Sequence, residues 1–150
     1  MKVTVMLRHN HEVLRGLIDK WNSGTRKPND KSVIHEMKRE LQMHSRMASD
    51  VFYSALAATP SDKVAELVTI ARKRCELLDR LFQELSAMNP TEHAFETKMN
   101  KAISEIGQHI EMEEDVLFHE ARKAFPEYRL EELGLEMQVR RNSMRLAAAV

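Results

Sequence analysis

Four breaks cut this chain into long segments whose apolar residues recur every three or four positions, and that spacing constrains the fold more than anything else in the sequence. Ser23-Gly24-Thr25-Arg26-Lys27-Pro28-Asn29-Asp30, Thr59-Pro60-Ser61-Asp62 and Met88-Asn89-Pro90-Thr91 read as loops, and Pro126 marks a fourth break. Asp30, Ser61 and Thr91 carry side-chain oxygens suited to accept from the orphan amides of a first helical turn, so each is an expected N-cap. The segments between the breaks are too long for strands. The first, over about residues 5–22, sets Leu7, His11, Leu14, Ile18 and Trp21 on one stripe. The second, about 31–58, sets Val33, Met37, Leu41, His44, Ala48, Val51 and Ala55 together; the third, about 62–87, Val64, Val68, Ala71, Cys75, Leu78, Phe82 and Leu85. In the fourth, about 92–124, the stripe is Met99, Ile103, Ile106, His109, Glu113, Val116 and Ala121, widened by Ile110 and Leu117. A weaker amphipathic stretch from Leu130 to Leu146 presents Leu133, Met137 and Met144. Alternating steps of three and four suit helices crossing at shallow angles, and short loops make sequential helices antiparallel. The expected fold is all-α: an up-down-up-down four-helix bundle with an additional C-terminal helix, residues 1–150 forming one domain.

Composition excludes several functions. Lys+Arg and Asp+Glu both number 23, so net charge gives no case for nucleic acid or an anionic membrane surface as partner. Eight residues of Gly plus Pro are too few for a turn-rich β-barrel. No apolar run approaches the roughly 18 residues of a membrane span, and Met1 to Asn10 contain no signal-peptide core. A single Cys excludes a disulfide framework and points to a reducing, cytoplasmic compartment.

The stripes also carry residues that an apolar core should not contain. His11, His44 and His109 fall near the middle of three different stripes, with Glu113 one turn after His109 on the same face and Cys75 at the matching place in the third helix. An isolated histidine on an apolar stripe is most often a hydrogen-bonded core residue. Three of them on separate helices, plus a carboxylate, point to a bound cation: neutral imidazoles and an ionised carboxylate satisfy one another through the ion. His9, His35, His93 and His119 fall off the core faces and read as surface residues. Tyr53, beside Phe52, reads as a packing aromatic. No phosphate-binding glycine loop, Ser-His-Asp set or paired-cysteine motif is present, so no catalytic residue is assigned and an enzymatic role has no identified substrate.

An internal repeat sharpens the cluster. Leu41 to Val51 lies over Ile106 to Val116 at a shift of 65 residues, matching His44 with His109, Met47 with Met112, Asp50 with Asp115 and Val51 with Val116. Arg8 to Leu14 lies over Arg72 to Leu78 at a shift of 64. Read as two related helical hairpins, the chain answers His11 with Cys75 and Glu113 with Ala48.

Asn10-His11 followed by Val13 and Leu14, His44 followed by Val51-Phe52-Tyr53, and His109-Ile110-Glu111-Met112-Glu113-Glu114 with Leu117-Phe118 together resemble the hemerythrin-like, or HHE, cation-binding domains. The linker ending at Pro90 and the tail Leu133-Gly134-Leu135-Glu136-Met137 extend the resemblance over nearly the whole chain. The resemblance implies a non-haem di-iron centre, with a His in the first and third helices and a His-x-x-x-Glu motif in the second and fourth. It also implies roles in dioxygen, nitric oxide or redox sensing, or in iron handling. Two positions depart from the pattern: Ala48 stands where the resemblance implies a bridging Glu, and Cys75 where it implies a His. His11, His44 and Glu113 remain as a two-His-one-carboxylate set for one divalent iron, leaving His109 and Cys75 for a poor second position. The expected cofactor is therefore non-haem iron, mononuclear or weakly dinuclear, with a small diatomic ligand or a metal ion as partner. A metal-free helical module that kept the fold and lost the chemistry is the competing expectation.

Overall fold

The computed structural model describes residues 1–24, 27 and 30–149, so Thr25, Arg26, Pro28 and Asn29 of the first expected loop lie outside the described residues. Five helical rods follow one another, and no strand occurs among the described residues. α1 is Val3–Asn22. α2 spans 32–57, built from Ser32–Met47, a π-helical turn Ala48–Tyr53 and a last turn Ser54–Ala57. α3 is Asp62–Ala87. α4 spans 93–124, with a π-helical turn Met112–Leu117 between His93–Glu111 and Phe118–Ala124. α5 is Glu127–Ala149. This is the four-helix bundle with an added C-terminal helix that the breaks and stripes imply.

Local chemistry sets the ends. Ser61 caps α3, accepting from the Val64 amide at 3.3 Å. The other two expected caps differ: Asp30 lies one residue too early and accepts from the Ser32 amide at 2.9 Å. Thr91 is not a cap either, because its own amide is taken by Asn89 at 3.0 Å and the helix starts two residues later. Phe125 is extended, as the residue before a proline must be to avoid the Pro126 ring, and α4 ends there.

Each expected stripe faces the interior. α1 packs on α2, α2 on α3, α3 on α4, and α5 lies across α1 and α2. The α5 contact is close: a Cβ on Gly134 would stand 1.9 Å from the Met1 carbonyl oxygen, so only glycine fits there. Burying a side chain the size of Leu or Phe contributes roughly 1.5–3 kcal/mol, and the core gathers these in two separate apolar masses. One holds Leu14, Ile34, Met37, Leu78, Phe82, Phe95 and Ile106. The other holds Leu7, Met47, Phe52, Ala71, Leu117, Phe118 and, from α5, Leu130, Leu133 and Met137. Between them, at the level of His11, His44, Cys75 and His109, runs a polar layer.

Candidate metal centre

Four helices each send one or more residues into this layer. His11, His44, His109 and Glu113 are all buried, none more than 1% exposed. Glu113 is the hub. Its Oε1 lies 2.7 Å from His44 Nε2, 2.9 Å from His11 Nε2 and 3.2 Å from His109 Nε2. Its Oε2 accepts a hydrogen bond of 2.9 Å from the Tyr53 hydroxyl. The second ring nitrogen of His11, Nδ1, stands 2.6 Å from Glu114 Oε2, and Arg15 approaches the same carboxylate at 3.4 Å. Among the described residues, Nδ1 of His44 and of His109 have no hydrogen-bond partner.

The π turns explain how so many groups converge. Each begins within a turn of a ligand-type histidine, His44 or His109, and each adds residues to one helical turn, which rotates the following face. After His44 this buries Val51, Phe52 and Tyr53 in succession, something a regular α-helical stripe does not do. Tyr53 thereby turns its hydroxyl inward, 3.4 Å from His109 Nε2 as well as onto Glu113. The expectation that Tyr53 only packs is therefore corrected: the ring is buried, and its hydroxyl is part of the polar cluster. Glu114 is the other residue that stripe reasoning passes over. Nothing in helical periodicity marks it, because its contact with His11 comes from a neighbouring helix.

His11, His44 and Glu113 form a group in which one donor atom from each, an imidazole nitrogen or a carboxylate oxygen, lies within 4.8 Å of the others, the arrangement that could hold a metal ion. His109 and Cys75 stand outside that triad. The Cys75 sulfur, only half-buried, lies 4.0 Å from His109 Nε2 and 3.9 Å from the Tyr53 hydroxyl. Ala48 is fully buried one turn beyond His44 and offers no donor. His9, His35, His93 and His119 are exposed, as expected.

Electrostatics follow from the crowding. Burial pushes the Glu113 carboxyl up, but the His44 and His109 imidazoles outweigh it and hold the group well below its usual range. Burial lowers His44, against the pull of Glu113, so it stays neutral. Burial also works against a charged His109, yet Glu113 and Cys75 overcome it and raise that imidazole to about 10. Burial, with the Glu113 charge behind it, pushes the Tyr53 phenol well above its ordinary value, so it remains a donor. Glu114 is lowered: burial raises it, but His11 and Arg15 more than compensate.

The model of the hemerythrin HHE cation-binding domain family matches residues 2–121, the whole of α1 to α3 and nearly all of α4. Among solved structures, the crystal structure of a hemerythrin HHE cation-binding domain-containing protein from Mycobacterium kansasii is similar, with a TM-score of 0.83 and 23% identity. The superposition covers 99% of this chain and 90% of that one, and at this identity it speaks for the fold alone. No curated protein matches the chain.

Proposed function

The chain belongs to the hemerythrin HHE cation-binding domain family, and from that premise we propose that it binds one non-haem iron ion through His11, His44 and Glu113. The carrying observation is the buried triad, whose donor atoms lie within 4.8 Å of one another and whose two imidazoles and one carboxylate suit divalent iron. The donor chemistry fits one ion better than two. Ala48 withholds a second bridging carboxylate, and Cys75 puts a half-buried thiol where an imidazole would serve a second ion. His109 and Cys75 are accordingly secondary donors that support at most a weak second position.

Bound iron would supply a redox-active Lewis acid with positions open to dioxygen or nitric oxide. The chain's own residues do the rest. His44 is already neutral, and Glu113 already ionised, as a ligand set requires. Glu114 fixes the His11 ring by taking its Nδ1, leaving Nε2 for the ion. Tyr53 holds the second Glu113 oxygen through its hydroxyl. The functional reading is a sensor of dioxygen, nitric oxide or redox state, or an iron-handling protein, in one domain over residues 1–150. The lone Cys favours a reducing, cytoplasmic setting, and no helix among the described residues is long and apolar enough to cross a membrane.

One observation favours a second reading, a metal-free interaction module. Glu113 already meets three imidazoles and a hydroxyl, with His109 held protonated to balance its charge, so the cluster can satisfy itself. Metal analysis after anaerobic iron reconstitution separates the two. Close to one iron per chain, with a melting temperature that drops on chelation, supports the first, since an ion that binds only the folded state stabilises it by mass action. Fewer than about 0.2 iron per chain and no chelator effect support the second.

A further inference from the structure

The two flanks of the cluster differ in how they meet solvent. On the α1–α4 flank, His11 is covered by Glu114, which Arg15 in turn pins at 3.4 Å. On the α2–α3 flank, a groove of about 670 Å³ reaches inward, and Tyr53 and Cys75 line it. Both touch His109, so the floor of the groove is one side chain away from the imidazoles and Glu113, none of which lines it. Cys75 is only half-buried, unlike His11, His44, His109, Tyr53 and Glu113.

Above these two residues sits Arg72. Its guanidinium donates from Nη1 to the Ser49 hydroxyl and from Nη2 to the Ser49 carbonyl at 3.4 Å, and it rests 5.7 Å from the centre of the Tyr53 ring. Arg72 thus ties α3 to the π turn of α2 directly over the groove floor. Four basic side chains, Arg46 and Arg72 among them, face three acidic ones, Asp50, Glu76 and Asp79, along the walls, so the two signs nearly balance and no strong field draws in an ion.

We propose that this groove is the entry route to the polar cluster for small neutral molecules of a few heavy atoms, with Cys75 at its inner end and Arg72 as the positioning residue that narrows it. The inference rests on the reading that the cluster binds a ligand, but the geometry itself can be tested without metal. Cys75 is the sole cysteine in the chain, so every thiol modification reports on the end of this groove.

The experiment measures second-order alkylation rates of metal-free protein by iodoacetamide and by iodoacetate, each normalised to free cysteine at the same pH. The wild-type protein should react measurably in native buffer and prefer the neutral reagent over the anionic one of similar size. Ser45→Trp, which fills the groove from α2, should slow iodoacetamide by about tenfold or more, because access governs thiol reactivity once the thiolate fraction is fixed. Gln42→Trp, one turn earlier on the same wall, provides a second filler should the first not fold. Arg72→Ala should speed the reaction, with Arg72→Lys in between. Equal rates in the wild type and both fillers, rising steeply with sub-denaturing urea, would overturn the proposal, since Cys75 would then be reached through local unfolding. Preference for the anionic reagent would overturn the neutral-ligand assignment. Neither result bears on whether iron binds, which metal analysis decides separately.

Discussion

Glu113 has two sides, and the molecule treats them differently. Towards Oε1 come the imidazoles of His11 and His44, fully buried, one of them oriented by a carboxylate behind it. Towards Oε2 comes the Tyr53 phenol, with the half-buried Cys75 thiol beyond it and His109 between the two sides. The helices that deliver these groups remain closely matched, down to a π turn after His44 and another after His109. The side chains at matching places differ: buried Ala48 stands opposite Glu113, and half-buried Cys75 opposite His11. A helical bundle accommodates this because alanine and a thiol both pack as small apolar residues. One half of the layer holds the donors that could take a metal ion, and the other holds Tyr53 and Cys75 at the floor of the groove.

The largest effect is expected at Glu113, the residue both sides share. Glu113→Ala should weaken iron binding by more than the roughly 10–100-fold that changes behind the ligands cause, as read by equilibrium dialysis; binding that survives would place the ion elsewhere. The asymmetry can also be reversed. Ala48→Glu combined with Cys75→His returns a carboxylate and an imidazole to the poorer half, and iron per chain should rise from one toward two in metal analysis. An unchanged count would mean that the two hairpins are not equivalent in register. A smaller effect is expected behind His11: Glu114→Ala leaves the ligands in place but frees the ring, so affinity should fall by about 10–100-fold while stoichiometry holds.

Much of this was open to inspection in the sequence, and the reason is physical. His11, His44, His109 and Glu113 stand out because polar residues on an apolar stripe violate the rule that makes the stripe, and the structure brings all four together. Gly and Pro punctuation gave the helix boundaries to within a few residues, and the faint α5 face proved real at Leu133 and Met137. Tyr53 was hidden because its inward turn depends on a π turn, and an extra residue per turn leaves no mark in a three-and-four pattern. Glu114 was hidden for another reason: it is off the stripe of its own helix and matters only through a residue 103 positions away. Asp30 and Thr91 misled as caps because each lies one residue before the actual N-cap position, in a local turn: Asp30 accepts from the Ser32 amide, and the Thr91 amide donates to Asn89.

The smallest expected effect is on pH dependence. In metal-free protein, His109 is raised from 6.5 to about 10 in the folded state, so its contribution to stability is complete below pH 6.5 and fades as pH climbs through 10. Glu113 is depressed below 4.5, so its contribution is present above pH 4.5 and is lost on acidification. The melting temperature of the metal-free form should therefore peak between these limits and decline gently toward alkaline pH. His109→Gln should flatten the alkaline decline; a decline that persists in that variant belongs to other groups.

The asymmetry between the two sides is tested most directly by counting iron in two single variants prepared side by side, His11→Ala and Cys75→Ala. Iron held on the Oε1 side predicts that Cys75→Ala keeps close to one ion per chain while His11→Ala loses nearly all of it. Retention in His11→Ala with loss in Cys75→Ala would contradict the account and put the ion on the thiol side of Glu113.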